Sequence, residues 1–518
     1  MRFMRKSRGR FPIGFARRLL PLSVFLVFLV LSAAACALAA ARPDTLRVAL
    51  ATDMLTWDPH NYRTGQDSTM HNFVYETLVA HDRNNEPVPK LAVKWEKLDT
   101  QRWRFFLREG VRFTDGTAFD AEAAKISLER CSQAPRGSGF LGFIENVEVE
   151  GPHTIVINLK YPYGGILHNL SSPVSSIVSS KLIADQGEKL SSAVPAGTGP
   201  YKLKEWVPNN RVEFERNAGY WGQPPEIGNL RFSIIPEEST RLMALKGGEV
   251  HMIENLPPHE IEGIRSDKRF DVIMMPRART VWLGMNYKSG PTADRRVREA
   301  ISMAIDRDAI VDYVLEGVGI PAETFIPYCI FADQEKYPAR NDLQAAKKLL
   351  EEAGYKDGFT VNFWTPEARY LKDKQVAEVI QQQLSKIGIR TNISVMEFGS
   401  YLAALGRHEG ELFIIGWGFM TCEPTQALKQ TMETGNAFNY SDYSEKDFDE
   451  LLRAAEGESD PAGMKGLLDR INKKLIVDDS TVAMLYHMNF VFGATSALEG
   501  VYLTPNELID LSEARFVE

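Results

Sequence analysis

The sequence predicts an α/β fold, and three observations predict it. Apolar residues between Asn341 and Trp417 recur first at helical and then at alternating spacing, twice over. The connections between these stretches are short, and glycines stand where the helices stop. No internal repeat or low-complexity tract interrupts the chain.

Element by element, Leu343, Ala346, Leu349, Leu350 and Ala353 share one helical face, and Gly354 ends that helix. Phe359, Val361 and Phe363 alternate, which predicts a strand with one buried face. Val376, Val379, Ile380, Leu384 and Ile387 give a second helix, stopped by Gly388. Ile389, Ile393 and Val395 alternate again. Leu412 to Ile415 is an unbroken apolar run, as in a strand covered on both faces. Strand–helix–strand order with short connections predicts a mainly parallel sheet with helices packed on it. Further upstream, Trp103, Phe105 and Leu107 alternate, and Glu109-Gly110 and Asp115-Gly116 turn the chain. Asp120 is placed to cap a helix through Ala123, Ala124, Ile126, Ser127 and Leu128 to Arg130. That segment reads as scaffold. Turn-rich breaks at 84–89, 195–200 and 222–228 mark loops.

The 518 residues, 44% hydrophobic and 25% charged, suffice for two or three packed units. All seven Lys/Arg of the first 41 residues lie in a segment without a single acid. Without that segment the chain holds 53 basic and 68 acidic residues, a net −15. So acidic a body excludes nucleic acid as the expected partner, because phosphate binding needs a basic surface. It leaves an anionic small ligand open. The four cysteines, Cys36, Cys131, Cys329 and Cys422, form no CxxC pair and no zinc spacing, so no metal site is expected. The last three read as small buried hydrophobes, with one disulfide among them left open.

The N-terminus orders a basic stretch, an apolar run from Leu19 to Leu31 and small residues from Ala33 to Ala41. This is the arrangement of a cleaved export signal, and residues 1–41 are expected to be removed near Ala40 to Arg42, leaving a soluble periplasmic body. Cys36 as a lipidated cysteine is disfavoured by Ala33 three positions before it. An uncleaved anchor and a twin-arginine signal at Arg17-Arg18 are further readings of the same segment, and the small residues that follow it favour cleavage.

No phosphate-binding loop, dinucleotide fingerprint, H-E-x-x-H or G-x-S-x-G occurs, and the nine histidines are scattered singly. A catalytic residue or cofactor is therefore not expected, although a triad need not be contiguous in sequence.

The run from Trp103 to Phe119 resembles the signature of the family 5 extracellular solute-binding proteins, which bind dipeptides, oligopeptides, nickel or glutathione for ABC importers. The resemblance covers almost the whole chain beyond the signal. It is carried also by Thr45-Leu46-Arg47-Val48-Ala49 with Trp57-Asp58-Pro59-His60, and by Tyr75-Glu76-Thr77-Leu78. Gly197-Thr198-Gly199-Pro200-Tyr201 with Asn217-Ala218-Gly219-Tyr220-Trp221 is similar to the family's central signature. Leu283-Gly284-Met285-Asn286, then Arg295 to Ala300 with Ala304-Ile305-Asp306-Arg307, resembles its passage into the second lobe, and Asn439-Tyr440-Ser441 is similar too.

The resemblance implies a two-lobed periplasmic-binding-protein-like fold (type II, cluster C), with an extra subdomain in the first lobe and a two-strand hinge. The first lobe would span 42–286 and 490–518, with the extra subdomain at 83–195, and the second 287–489. The crossings would fall near Leu283–Asn286 and Asn489–Gly493. A monomer would close on a short peptide or peptide-like solute, glutathione included, and pass it to a membrane permease with its cytoplasmic ATPase. A nickel chelate is the alternative cargo, and a secreted hydrolase the alternative of another class.

Relatives place an ammonium-binding aspartate three residues after Trp417, where this chain has Met420; Glu423 is the candidate substitute. Arg369 lies in a loop where relatives carry a carboxylate-binding arginine. Trp364 and Tyr370 are candidates for apolar wall. Asn61, Tyr62, Arg63 and Thr198 are candidates from the first lobe, and Arg279 a weaker one.

Overall fold

The computed structural model describes residues 43–517, Ala368 excepted, so the expected signal segment lies outside the described residues. An 11-stranded sheet runs through the molecule. Its order is Ile389–Met396, Phe359–Pro366, Leu412–Gly418, Phe270–Met285, Val482–Thr495, Met252–Glu254, Thr45–Leu50, Asn229–Ile234, Arg211–Arg216 and Tyr201–Val207, with Ile320–Pro321 added beside Val482–Thr495. The expected mainly parallel sheet is corrected to a mixed one. Phe359–Pro366 is parallel to both its neighbours, and so is Thr45–Leu50. The strands that join the two halves are antiparallel, because the chain crosses once outward and once back.

Those two strands are Phe270–Met285, of 16 residues, and Val482–Thr495, of 14. Each belongs to both halves. Residues 270–276 pair with 489–495, and 280–284 with 482–487. Between the two ladders, residues 277–279 face Met488 alone. Pro276 has no N–H to give the ladder, and the extra residues make a bulge that bends the strand and re-aims its side chains. The register break thus falls at 276–280, ahead of Leu283–Asn286.

Strand periodicity explains the core of the second half. Val281, Leu283, Leu412 and Ile414 point to one face, against Val297, Ile301, Val376, Ile380 and Leu384. Trp282, Phe413 and Ile415 point to the other, against Phe325, Tyr401 and Leu428. The apolar run at 412–415 is covered on both faces, as its sequence predicts. The helices Leu343–Glu352 and Asp373–Ser385 form where the apolar spacing places them. At Gly358, which has a φ of +73°, an added Cβ would stand 2.0 Å from the Gly388 carbonyl oxygen. Only glycine lets two parallel strands start so close together.

In the first half, Leu46, Val48, Phe73, Phe214, Phe232 and Phe492 form a separate core. A four-stranded antiparallel sheet, ordered Ala92–Lys97, Arg102–Leu107, Thr154–Leu159 and Ile144–Gly151, packs under the helix Ala121–Gln133 with a core of its own. Asp120 caps that helix by accepting the Ala123 N–H at 2.9 Å. Cys131, Cys329 and Cys422 are free thiols. No helix among the described residues is long and apolar enough to cross a membrane.

Candidate functional site

The bulge at 277–279 is the floor of a cleft. Freed from the ladder, the Ala278 N–H donates to the Pro505 carbonyl at 2.8 Å, and the Ala278 carbonyl accepts the Phe419 N–H at 2.7 Å. Arg277 and Arg279 reach the loop that carries Glu507. Arg277 donates Nε and Nη2 to the Glu507 carboxylate at 2.6 and 2.5 Å, and Arg279 donates Nη2 at 3.2 Å. Burial alone would raise the Glu507 carboxyl, but the two guanidiniums hold it down to about 2. Glu507 adopts a φ of +74°, an uncommon conformation for a side-chain-bearing residue.

A cavity of about 490 Å³ opens above this triad. Tyr62, Arg63, Gln66 and Thr69 line it together with Arg279, Arg369 and Met420. A neighbouring cavity of about 690 Å³ shares Asn255, Arg277, Arg369 and Phe490 and continues past Tyr370 and Tyr486.

Sequence-local devices present these side chains. Buried Asp67 accepts the N–H groups of Thr56, Arg63 and Thr64 at 3.2, 2.7 and 2.9 Å, which fixes the loop bearing Tyr62 and Arg63. Thr64 and Asp67 also form the capping box of the helix Gly65–Val74. Asp58 takes a bidentate bond from Arg130 at 2.8 and 2.7 Å and a third from Asn61 at 2.9 Å, which keeps Asn61 occupied. On the far wall, the Arg369 guanidinium lies 4.7 Å from the Phe398 ring centroid, and Asp373 accepts the Arg369 N–H at 2.9 Å.

Of the residues singled out in the sequence, Tyr62, Arg63, Arg279, Arg369 and Met420 meet at one cavity, and Tyr370 lines the adjoining one. The Tyr370 hydroxyl accepts the Gly416 N–H at 2.7 Å, so its role is to hold the strand end. The other five stand elsewhere, and of these Asn61 is held by Asp58. Trp417 donates Nε1 to Gln430 at 3.0 Å and packs its ring 5.2 Å from Phe438. Trp364 packs in the same core. Strand alternation puts Gly416 and Gly418 on the cleft side instead, where added Cβ atoms would meet Tyr370 at 2.9 Å and the Arg279 guanidinium at 2.9 Å. Thr198 is buried and donates to Glu76 at 2.8 Å. Glu423, 2% exposed, caps the helix Pro424–Met432 through the Thr425 and Gln426 N–H groups at 2.9 and 2.8 Å. It is a capping residue, and the Thr425 hydroxyl occupies it further at 2.8 Å.

Arg136, Glu254, Arg277 and Glu507 line the cavity without having been singled out. Only Arg277 carried a usable signal, since it follows a proline inside an apolar strand. The lobes also touch away from the cleft. Asn85 donates Nδ2 to the carbonyls of Ile330 and Cys422 at 3.3 and 3.0 Å, and the Gly164 N–H donates to the Glu456 carbonyl at 2.7 Å. Among the described residues no group of three or more His, Cys, Asp or Glu is placed to hold a metal ion.

Two lobes built on one sheet, joined by an outgoing and a returning strand, with a polar cleft at the joint, define a two-lobed binding protein. The chain belongs to the bacterial extracellular solute-binding proteins, family 5, which it matches over residues 86–439. It is 28% identical to the glutathione-binding protein GsiB of Escherichia coli K12 over 496 residues, 93% of this chain and 96% of that protein. It superposes on the periplasmic binding protein DppA from Helicobacter pylori, solved with the peptide STSA, with a TM-score of 0.75 and 26% identity over 91% of this chain and 99% of that one. The NikA protein of Brucella suis, solved with Fe(III)-EDTA, gives a TM-score of 0.81 and 25% identity over 91% and 100%.

Proposed function

We propose that the protein captures a short peptide or peptide-like solute at the Arg277–Arg279 bulge and presents the closed form to the permease of an ABC importer. One observation carries this: Tyr62 and Arg63 of one lobe face Arg369 and Met420 of the other across a single cavity at the joint. A solute touching both walls favours closure, because only the closed form makes both sets of contacts. The peptide class is supported by the glutathione-binding and peptide-complexed relatives. Arg369 suits a carboxylate, which a guanidinium takes by two parallel hydrogen bonds. The lobes in this proposal are 44–276 with 489–517, and 277–488. The protein acts as an exported, periplasmic monomer that binds its solute without turnover.

A carboxylate-chelated metal is the second reading. It is favoured by the arginines on the cleft wall and by the NikA relative solved with a chelate. Native mass spectrometry of gently purified protein tests both. A peptide-like mass lost on denaturation, with scattering that shows compaction when it is restored, is the expected result. A metal isotope pattern selects the second reading, and a solute that leaves the scattering profile unchanged overturns the closing mechanism.

A further inference from the structure

Five arginines, Arg63, Arg136, Arg277, Arg279 and Arg369, line the cavity of about 490 Å³ together with only two acids, Glu254 and Glu507. Glu507 is taken up by Arg277 and Arg279. Glu254 is buried, accepts the Ala51 N–H, and is pushed up by burial, so it offers little charge to a ligand. No acid among the described residues pairs with Arg63, Arg136 or Arg369, and all three are exposed at the mouth. The folding of the chain gathers them. The Gly137 N–H donates to the His60 carbonyl at 3.0 Å, which ties the loop of Arg136 to that of Arg63, and the Tyr62 ring packs 5.9 Å from Phe140 beside them. Arg369 stands on the opposite lobe, steadied on Phe398.

We infer that the solute is a compact polyanion carrying two or three carboxylates, and that its capture does not depend on an α-ammonium group. The inference rests on the peptide-like reading above and narrows it. Tighter closure on a solute would draw the three free guanidiniums together and away from water, which is costly for unpaired charges. A neutral solute leaves that cost uncompensated. A polyanion cancels it, since each carboxylate takes a bidentate bond that strengthens as water leaves. Met420 on the same wall gives an ammonium no counter-charge. The adjoining cavity is balanced in its own charges, with Glu237 and Glu238 against Arg241 and Lys372.

Isothermal titration of the mature protein tests this with Gly-Gly-Gly, glutathione, glutathione disulfide, Glu-Glu-Glu, N-acetyl-Glu-Glu and propane-1,2,3-tricarboxylate. Affinity is expected to rise about tenfold with each added negative charge, to survive N-acetylation, and to fall with added salt. Arg63→Gln and Arg136→Gln should flatten the charge dependence with no change in melting temperature, because both side chains are solvated. Neutral tripeptide binding as tightly as the acidic ones overturns the inference and leaves the peptide reading standing. Tricarboxylate binding without any peptide binding supports the charge inference and sinks the peptide reading. Failure of every acidic probe to bind overturns the inference.

Discussion

Glu507 lies 230 residues beyond Arg277 in the chain, yet the two are joined by parallel hydrogen bonds of 2.6 and 2.5 Å at the joint of the lobes. The ion pair is mostly buried, with side-chain exposures of 24% for Arg277 and 10% for Glu507. Glu507→Gln removes the only counter-charge that pairs with Arg277 and Arg279 among the described residues. It should destabilise the protein by about 3 kcal/mol, read from denaturant unfolding with the slope unchanged. The native carboxyl sits near 2 against an ordinary 4.5. Its contribution is therefore complete above about pH 4.5 and is lost as pH falls toward 2, and this acid limb should be missing in Glu507→Gln.

Two buried histidines, His60 and His487, and the half-buried His168 set a second, higher limb. Burial, with the Arg130 charge beside it, holds His60 down to about 4; burial alone holds His168 down to about 4; burial and Arg307 hold His487 down to about 3. The folded protein keeps all three neutral while the unfolded chain protonates them below about 6.5. Stability should be greatest above pH 6.5 and fall as pH drops toward 4, by up to about 1.4 kcal/mol per pH unit for each histidine. Thermal melts of the unliganded protein at pH 7 and pH 5 read this; equal midpoints would mean the rings are not held neutral.

Asn85 joins the lobes outside the cleft, through two donated hydrogen bonds to backbone carbonyls. Asn85→Ala should shift the unliganded protein toward the open form, seen as a larger radius of gyration, and weaken solute binding by about tenfold. An unchanged radius would show that these bonds do not bias the two states.

Glu423 separates a capping role from a ligand-binding one. Glu423→Ala should cost about 1–2 kcal/mol of stability through loss of the helix cap and leave solute affinity within about twofold. A large loss of affinity with the melting point preserved would return Glu423 to the binding site.

The periodic elements were legible in the residues alone. Leu343 to Ala353, Val376 to Ile387 and the run at 412–415 form the helices and strand their spacing implies, because burial of one face or two is a local pattern. The Asp58-Pro59-His60 turn and Arg369 were legible through family resemblance, as was the two-lobed architecture. Trp417 and Trp364 show the limit. An aromatic near a strand end is visible in sequence, but its face depends on strand register, and beside Trp417 register put Gly416 and Gly418 toward the cleft.

By itself, then, the sequence determined the class of fold, the acidic body, the caps and turns, and the family. Each of these depends on residues close together in the chain or on motifs in a set order. Tertiary structure alone decided the charge of the site. Arg63, Arg136, Arg277, Arg369 and Glu507 come from five separate segments, and whether an arginine meets an acid is settled by distances of a few ångströms across the fold.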